Sequence, residues 1–153
     1  MAGARREPSR DLTIQEMAQR SGFSEPTLRY YEKIGLLGEV ARDESSGHRR
    51  YTPATVERIE ALSCLRSAGM TVSGMRRYVD LLAQGDSAAV EQRDLFASQA
   101  QKLAADIEQL QLRLTYLRRK ADLWDARVRG DLEAEQQAVE AVVRVMDQFM
   151  LKD

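Results

Sequence analysis

Cysteine is nearly absent from these 153 residues, with Cys64 standing alone. A single cysteine excludes a disulfide framework or a cysteine-rich zinc site within one chain, and it fits a reducing cytosol. There is one histidine, His48, so no His–carboxylate set is available for catalysis or metal binding, and a surface position in a loop is expected for it. Aromatics make up 6% of the chain, too few to wall a large cavity for a stacked ligand. No stretch approaches the ~18 apolar residues of a membrane span. The first ten residues are small, basic and polar, without the apolar core of a secretory signal. Residues 1–11 are therefore expected to be a disordered arm and the location cytoplasmic. Gly-rich phosphate loops and nucleophile elbows are missing too, which points away from an enzyme and leaves no cofactor or metal to expect.

Charge of one sign is also lacking: 23 Lys+Arg meet 24 Asp+Glu, a net −1. Spread evenly, that balance would argue against a nucleic-acid binder. The spread is uneven, because residues 1–82 carry a net +2 and residues 83–153 a net −3. With 43% apolar and 31% charged residues, the chain suits a soluble helix-rich fold, and its length allows either one fold-sized core or one small domain plus an extension.

Thr13-Ile14-Gln15-Glu16 spells a capping box that starts a short helix. Ser21-Gly22-Phe23 breaks it, and Ser24 caps a second helix with Pro26 in its first turn, which runs to Gly35. Two short helices joined by a Gly-containing turn form a helix-turn-helix pattern, with Ala18 at the close approach and Leu28 facing inward. Residues 38–52 are polar and Ser/Gly-rich, and the cluster from Asp43 to Gly47 predicts a turn between two short strands, a wing. Thr52-Pro53 starts a third helix with Val56, Ile59, Leu62 and Leu65 on its apolar face, ended by Gly69. Thr71 caps a fourth, and Gly85-Asp86-Ser87 is the next break.

From Phe96 onward the apolar residues Ala100, Leu103, Ile107, Leu110, Leu114, Leu117, Ala121, Trp124 and Val128 alternate steps of four and three. This is a heptad seam and predicts a coiled coil, ~50 Å long at ~1.5 Å per residue. Its charged sides make a second helix necessary. After Gly130-Asp131 a last amphipathic helix carries Val139, Val142, Val143, Met146, Phe149 and Met150, a face expected to pack on the coil or on another subunit. Trp124, Tyr116 and Phe149 are the plausible walls of any small pocket there. Only about 25 residues follow Val128, too few for a large appended ligand-binding domain.

The strings Thr27-Leu28-Arg29-Tyr30-Tyr31-Glu32, Ile34-Gly35-Leu36-Leu37, Gly47-His48-Arg49-Arg50-Tyr51 and Leu65-Arg66 to Gly69-Met70-Thr71 resemble the MerR family of bacterial transcriptional regulators. The resemblance covers residues 12 to about 128. Where the family usually has Tyr-Arg, this chain has His48-Arg49, which keeps the wing arginine without the aromatic. Gln84-Gly85-Asp86-Ser87 followed by Arg93-Asp94-Leu95-Phe96 is similar to the aldehyde- and thiol-responsive branch called AdhR and NmlR. The resemblance implies an all-α fold with a small β wing: a winged helix-turn-helix over residues 12–83, a linker and antiparallel coiled-coil dimerisation helix over 84–129, and a C-terminal amphipathic helix over 130–153. It also implies a homodimer on a palindromic operator that alters transcription by distorting promoter DNA until RNA polymerase can use it.

On that frame the second helix enters the major groove. Arg29 is placed for a guanine or phosphate. Ser24, Thr27, Tyr30, Tyr31 and Lys33 are placed for phosphate or sugar, with one of the two tyrosines expected in the core. Arg42, Arg49, Arg50 and Tyr51 belong to the wing contact, and Arg66, Arg76 and Arg77 are further phosphate candidates. Leu103, Ile107, Leu110, Leu114, Leu117 and Trp124 carry dimerisation. Cys64 has two readings: a small buried hydrophobe, or a sensor thiol for an electrophile, an oxidant or another small-molecule inducer, since sensing relatives carry a cysteine at the similar position. The other function class compatible with the seam is a coiled-coil adaptor without a DNA role. Residues 13–51 distinguish the two, because an adaptor has no use for a helix-turn-helix and an arginine wing.

Overall fold

The computed structural model describes residues 10–151; of the expected arm, residues 1–9 lie outside the described residues. Helix α1 (Ile14–Ser21) starts at the capping box, in which Thr13 Oγ1 accepts from the Glu16 amide and Glu16 reaches back to the Thr13 amide. Gly22, at φ +77°, takes the left-handed turn that lets the chain leave α1. Helix α2 (Glu25–Lys33) is capped by Ser24. Strands β1 (Ala41–Arg42) and β2 (Arg49–Arg50) pair antiparallel, Ala41 opposite Arg50 and Arg42 opposite Arg49. Thr52 caps α3 (Pro53–Ser67), and Thr71 caps α4 (Val72–Ala83). A 3-10 turn over Gly85–Ala88 leads without a gap into α5 (Ala89–Arg129), and α6 (Leu132–Met150) follows the reversal at Gly130.

The chain divides into two compact units, Met1–Leu95 and Phe96–Asp153. The first has a continuous core in which Met17, Leu28, Leu36, Tyr51, Val56, Ile59 and Leu62 are all 0% exposed. Polar contacts join its elements: Arg20 Nε donates to Glu60 Oε1 at 2.7 Å, and Ser63 Oγ donates to the Ser21 carbonyl at 2.6 Å. This unit reaches past residue 83, because Leu95 packs on the core and Gln92 donates to the Tyr78 carbonyl at 3.2 Å.

In the second unit α6 runs back along α5. Tyr116 and Phe149 meet edge-to-face at 5.7 Å, and Arg127 Nε donates to Glu135 Oε1 at 2.5 Å. Leu123 and Ala126 of α5 and Val142 and Val145 of α6 are buried. The heptad seam lies on a different face of α5 and is bare: Leu103, Leu110, Leu114, Leu117 and Trp124 are all exposed. The face expected of α6 splits accordingly. Val142 is covered and Phe149 half-buried, whereas Val139, Val143, Met146 and Met150 are exposed; the buried Val145 is not among the residues expected there. Trp124, one of the residues expected to wall a pocket, stands in the open with the Arg127 guanidinium 4.9 Å over its ring. Among the described residues no helix is long and apolar enough to cross a membrane.

Candidate nucleic-acid interface

Helix α2 sorts its residues by helical spacing. Leu28 and Tyr31 point inward, while Arg29, Tyr30 and Lys33 are exposed. The two tyrosines thus part company. Tyr30 is 51% exposed, whereas Tyr31 is 2% exposed and packs its ring edge-to-face on Phe23 at 5.2 Å. Tyr31 is therefore a core residue whose ring cannot lie on a duplex. Its hydroxyl accepts from Arg66 Nη1 at 3.3 Å, and the Arg66 guanidinium sits 5.7 Å over Phe23. Arg66 is thus held to the end of α3 by its aromatic neighbours.

At the start of α2, Ser24 Oγ accepts from the Thr27 amide at 3.2 Å, and the two hydroxyls are 2.9 Å apart. Of the two expected phosphate-binding hydroxyls, that of Ser24 caps the helix and that of Thr27 hydrogen-bonds to it. Arg29 lies one turn on from Glu25, and the two pair at 3.2 Å.

The wing is organised by carboxylates. Asp43 Oδ1 accepts from the Ser45 and Ser46 hydroxyls at 2.6 and 3.0 Å and from their amides at 3.1 and 2.9 Å. The Ser45 hydroxyl first, then the other three donors, hold the Asp43 carboxyl far below the usual carboxylate range. Its other oxygen accepts from Arg50 at 3.3 Å. Gly47, at φ +69°, closes the turn beside the exposed His48. Glu32, on α2, accepts from Arg49 Nε at 2.5 Å and from Arg42 Nη2 at 3.5 Å.

Tyr51 departs from its expected place in the DNA contact. It is 0% exposed, and burial pushes its hydroxyl's pKa up. Among the described residues its hydroxyl has no hydrogen-bonding partner. The backbone explains the burial. Tyr51 exchanges two hydrogen bonds with Leu12, both at 2.9 Å, and this bridge draws the ring under the wing.

Thr13, Gln15, Arg29, Arg42, His48, Arg49 and Arg50 line one concavity of about 470 Å³ between the start of α1, α2 and the wing. The structure therefore brings together the sequence-predicted Arg29, Arg42, Arg49 and Arg50. Each guanidinium is balanced by an acid of the same unit: Glu25, Glu32 or Asp43. The more exposed Arg29–Glu25 pair is of a kind worth about 0–1 kcal/mol, so a phosphate can displace Glu25 at little cost. Only Glu25–Arg29, at i,i+4 spacing, was foreseeable from residue order; the reach of Glu32 to the wing depends on the fold.

Cys64 is exposed, which removes the reading of it as a buried hydrophobe. Among the described residues no three His, Cys, Asp or Glu side chains gather as metal ligands.

Residues 12–82 match the family described as MerR HTH family regulatory protein. An uncharacterized HTH-type transcriptional regulator of Haemophilus influenzae is 32% identical over 123 residues, covering 80% of this chain and 90% of that protein. The HTH-type transcriptional regulator AdhR of Bacillus subtilis is 33% identical over 92 residues, 60% of this chain and 65% of its own length. Among solved structures, HiNmlR, a MerR family regulator lacking the sensor domain and bound to promoter DNA, superposes with a TM-score of 0.65 at 31% identity, over 82% of this chain and 95% of that one.

Proposed function

The chain belongs to the MerR family of DNA-binding transcriptional regulators, and on that premise we propose that it acts as a homodimer on a two-fold promoter operator. The observation that carries the dimer is the exposed seam of α5, whose leucines repeat at heptad spacing and are left uncovered by α6. Two copies joined there present two α2 helices, so few arginines per chain suffice. Within each half-site Arg29 reads a base edge or phosphate. Lys33, Tyr30 and the wing's Arg42, Arg49 and Arg50 grip the backbone, with Arg66, Arg76 and Arg77 further out on the same unit.

The regulator changes transcription by deforming promoter DNA between the polymerase elements, so RNA polymerase is its functional partner and the cytoplasm its place of action. A small-molecule electrophile or oxidant acting on the exposed Cys64 is the proposed signal.

Size exclusion with light scattering, followed by footprinting of the upstream region, tests the assembly. A dimer protecting a palindrome is expected, and a monomer that protects a single half-site defeats the reading. For the signal, Cys64→Ser is compared with the parent in a reporter strain given aldehydes or diamide. An unchanged response in the variant retires the thiol.

A further inference from the structure

Glu32 is the acid that, among the described residues, holds two arginines of the interface at once. Its Oε2 accepts from Arg49 Nε at 2.5 Å and its Oε1 from Arg42 Nη2 at 3.5 Å. The Glu32 and Arg49 side chains are 19% and 23% exposed, more sheltered than Glu25 and Arg29 at 33% and 48%. Arg42 stands on β1, Arg49 on β2 and Glu32 on α2, so one carboxylate ties both strands of the wing to the helix that carries Arg29. The strands are two residues each, too short to hold a hairpin in place by their own ladder.

We propose that Glu32 is a positioning residue for DNA binding, fixing Arg42 and Arg49 in the orientation in which they meet the phosphates flanking the α2 contact. The inference rests on the reading that these wing arginines touch phosphate. Charge alone gives the opposite sign, because removing an acid from a DNA-facing surface strengthens attraction to phosphate. Positioning predicts a loss, because two freed arginines must be ordered anew each time DNA binds.

The test is Glu32→Gln in the full chain, titrated with a duplex from its own upstream region and mapped by phosphate-ethylation interference. Binding about tenfold weaker is expected, with interference lost at the flanking phosphates and kept at the central ones. A merely structural residue would lower the melting temperature without singling out the flanks. Arg42→Ala/Arg49→Ala provides the second background, in which adding Glu32→Gln should cost nothing further. Binding by Glu32→Gln equal to or tighter than the parent overturns the proposal, and so does an undiminished loss in the double background. If Arg42→Ala/Arg49→Ala itself binds like the parent, the phosphate reading of the wing is what has failed. Should Glu32→Gln not fold, Glu32→Asp keeps the charge one methylene short. It should give a smaller loss at the same flanks, and a parental interference pattern overturns the proposal.

Discussion

In the unit Met1–Leu95, Leu28, Ile59 and Leu62 are 0% exposed, whereas in Phe96–Asp153 Leu110, Leu117 and Trp124 are 58%, 64% and 55% exposed. Both stretches are rich in leucine, yet they use it differently. The first folds four helices and a wing around a common centre and leaves its arginines outside. The second is a helical hairpin in which, among the described residues, Leu123, Ala126, Val142 and Val145 alone are buried apolar side chains. Apolar surface that one chain cannot cover calls for a second chain. The difference therefore separates a region that covers its own leucines from one whose leucines the proposed dimer would cover.

The sharpest way to break the contrast is to charge the seam. Leu110→Asp/Leu117→Asp should turn the proposed dimer into a monomer in light scattering, since each leucine buried there is worth about 1.5–3 kcal/mol and four are lost across the pair. The melting of the first unit should stay where it was. The converse is Leu28→Ala, a cavity in the self-sufficient core. A loss of about 2–5 kcal/mol is expected in denaturant, with the hairpin's helical signal and its association retained. Arg29→Ala should leave both units folded and affect DNA alone, weakening binding and flattening the salt slope by about 1.

A smaller effect comes from acid. Glu16 is drawn down to about 2, chiefly by hydrogen bonding from Arg10 and then by the Thr13 amide. A depressed carboxyl stabilises above its unfolded pKa, so this support should be full at neutral pH and fade as pH falls from about 4.5 toward 2. Glu16→Gln should remove that part of the acid transition in the first unit. Thr13→Ala should cost about 1 kcal/mol there at neutral pH, by calorimetry.

Much of this was legible in residue order because it depends on local chemistry. The caps at Thr13, Ser24, Thr52 and Thr71 all form as spelled, since a hydroxyl finds an amide three residues on. The seam was legible because a 4-3 spacing survives any tertiary context. The fates of Tyr31 and Tyr51 were not. Adjacent residues such as Tyr30 and Tyr31 stand ~100° apart on a helix, and only the packing of Phe23 decides which is buried. Tyr51 looked like part of an arginine-rich contact, but its pairing with Leu12, 39 positions earlier, turns it inward. The carboxylates behind the arginines were missed for a related reason, since composition counts charges without saying which ones touch.

The Leu12–Tyr51 bridge has a practical side. It makes the segment ahead of α1 a third rail for the base of the wing, joined by two backbone hydrogen bonds that survive any side-chain substitution short of proline. A truncation that begins at Thr13 would keep every arginine of the interface and still set the wing adrift. Fusions and cleavable tags should therefore be joined upstream of Leu12, and a shortened version that loses DNA would be reporting a missing rail, not a missing contact.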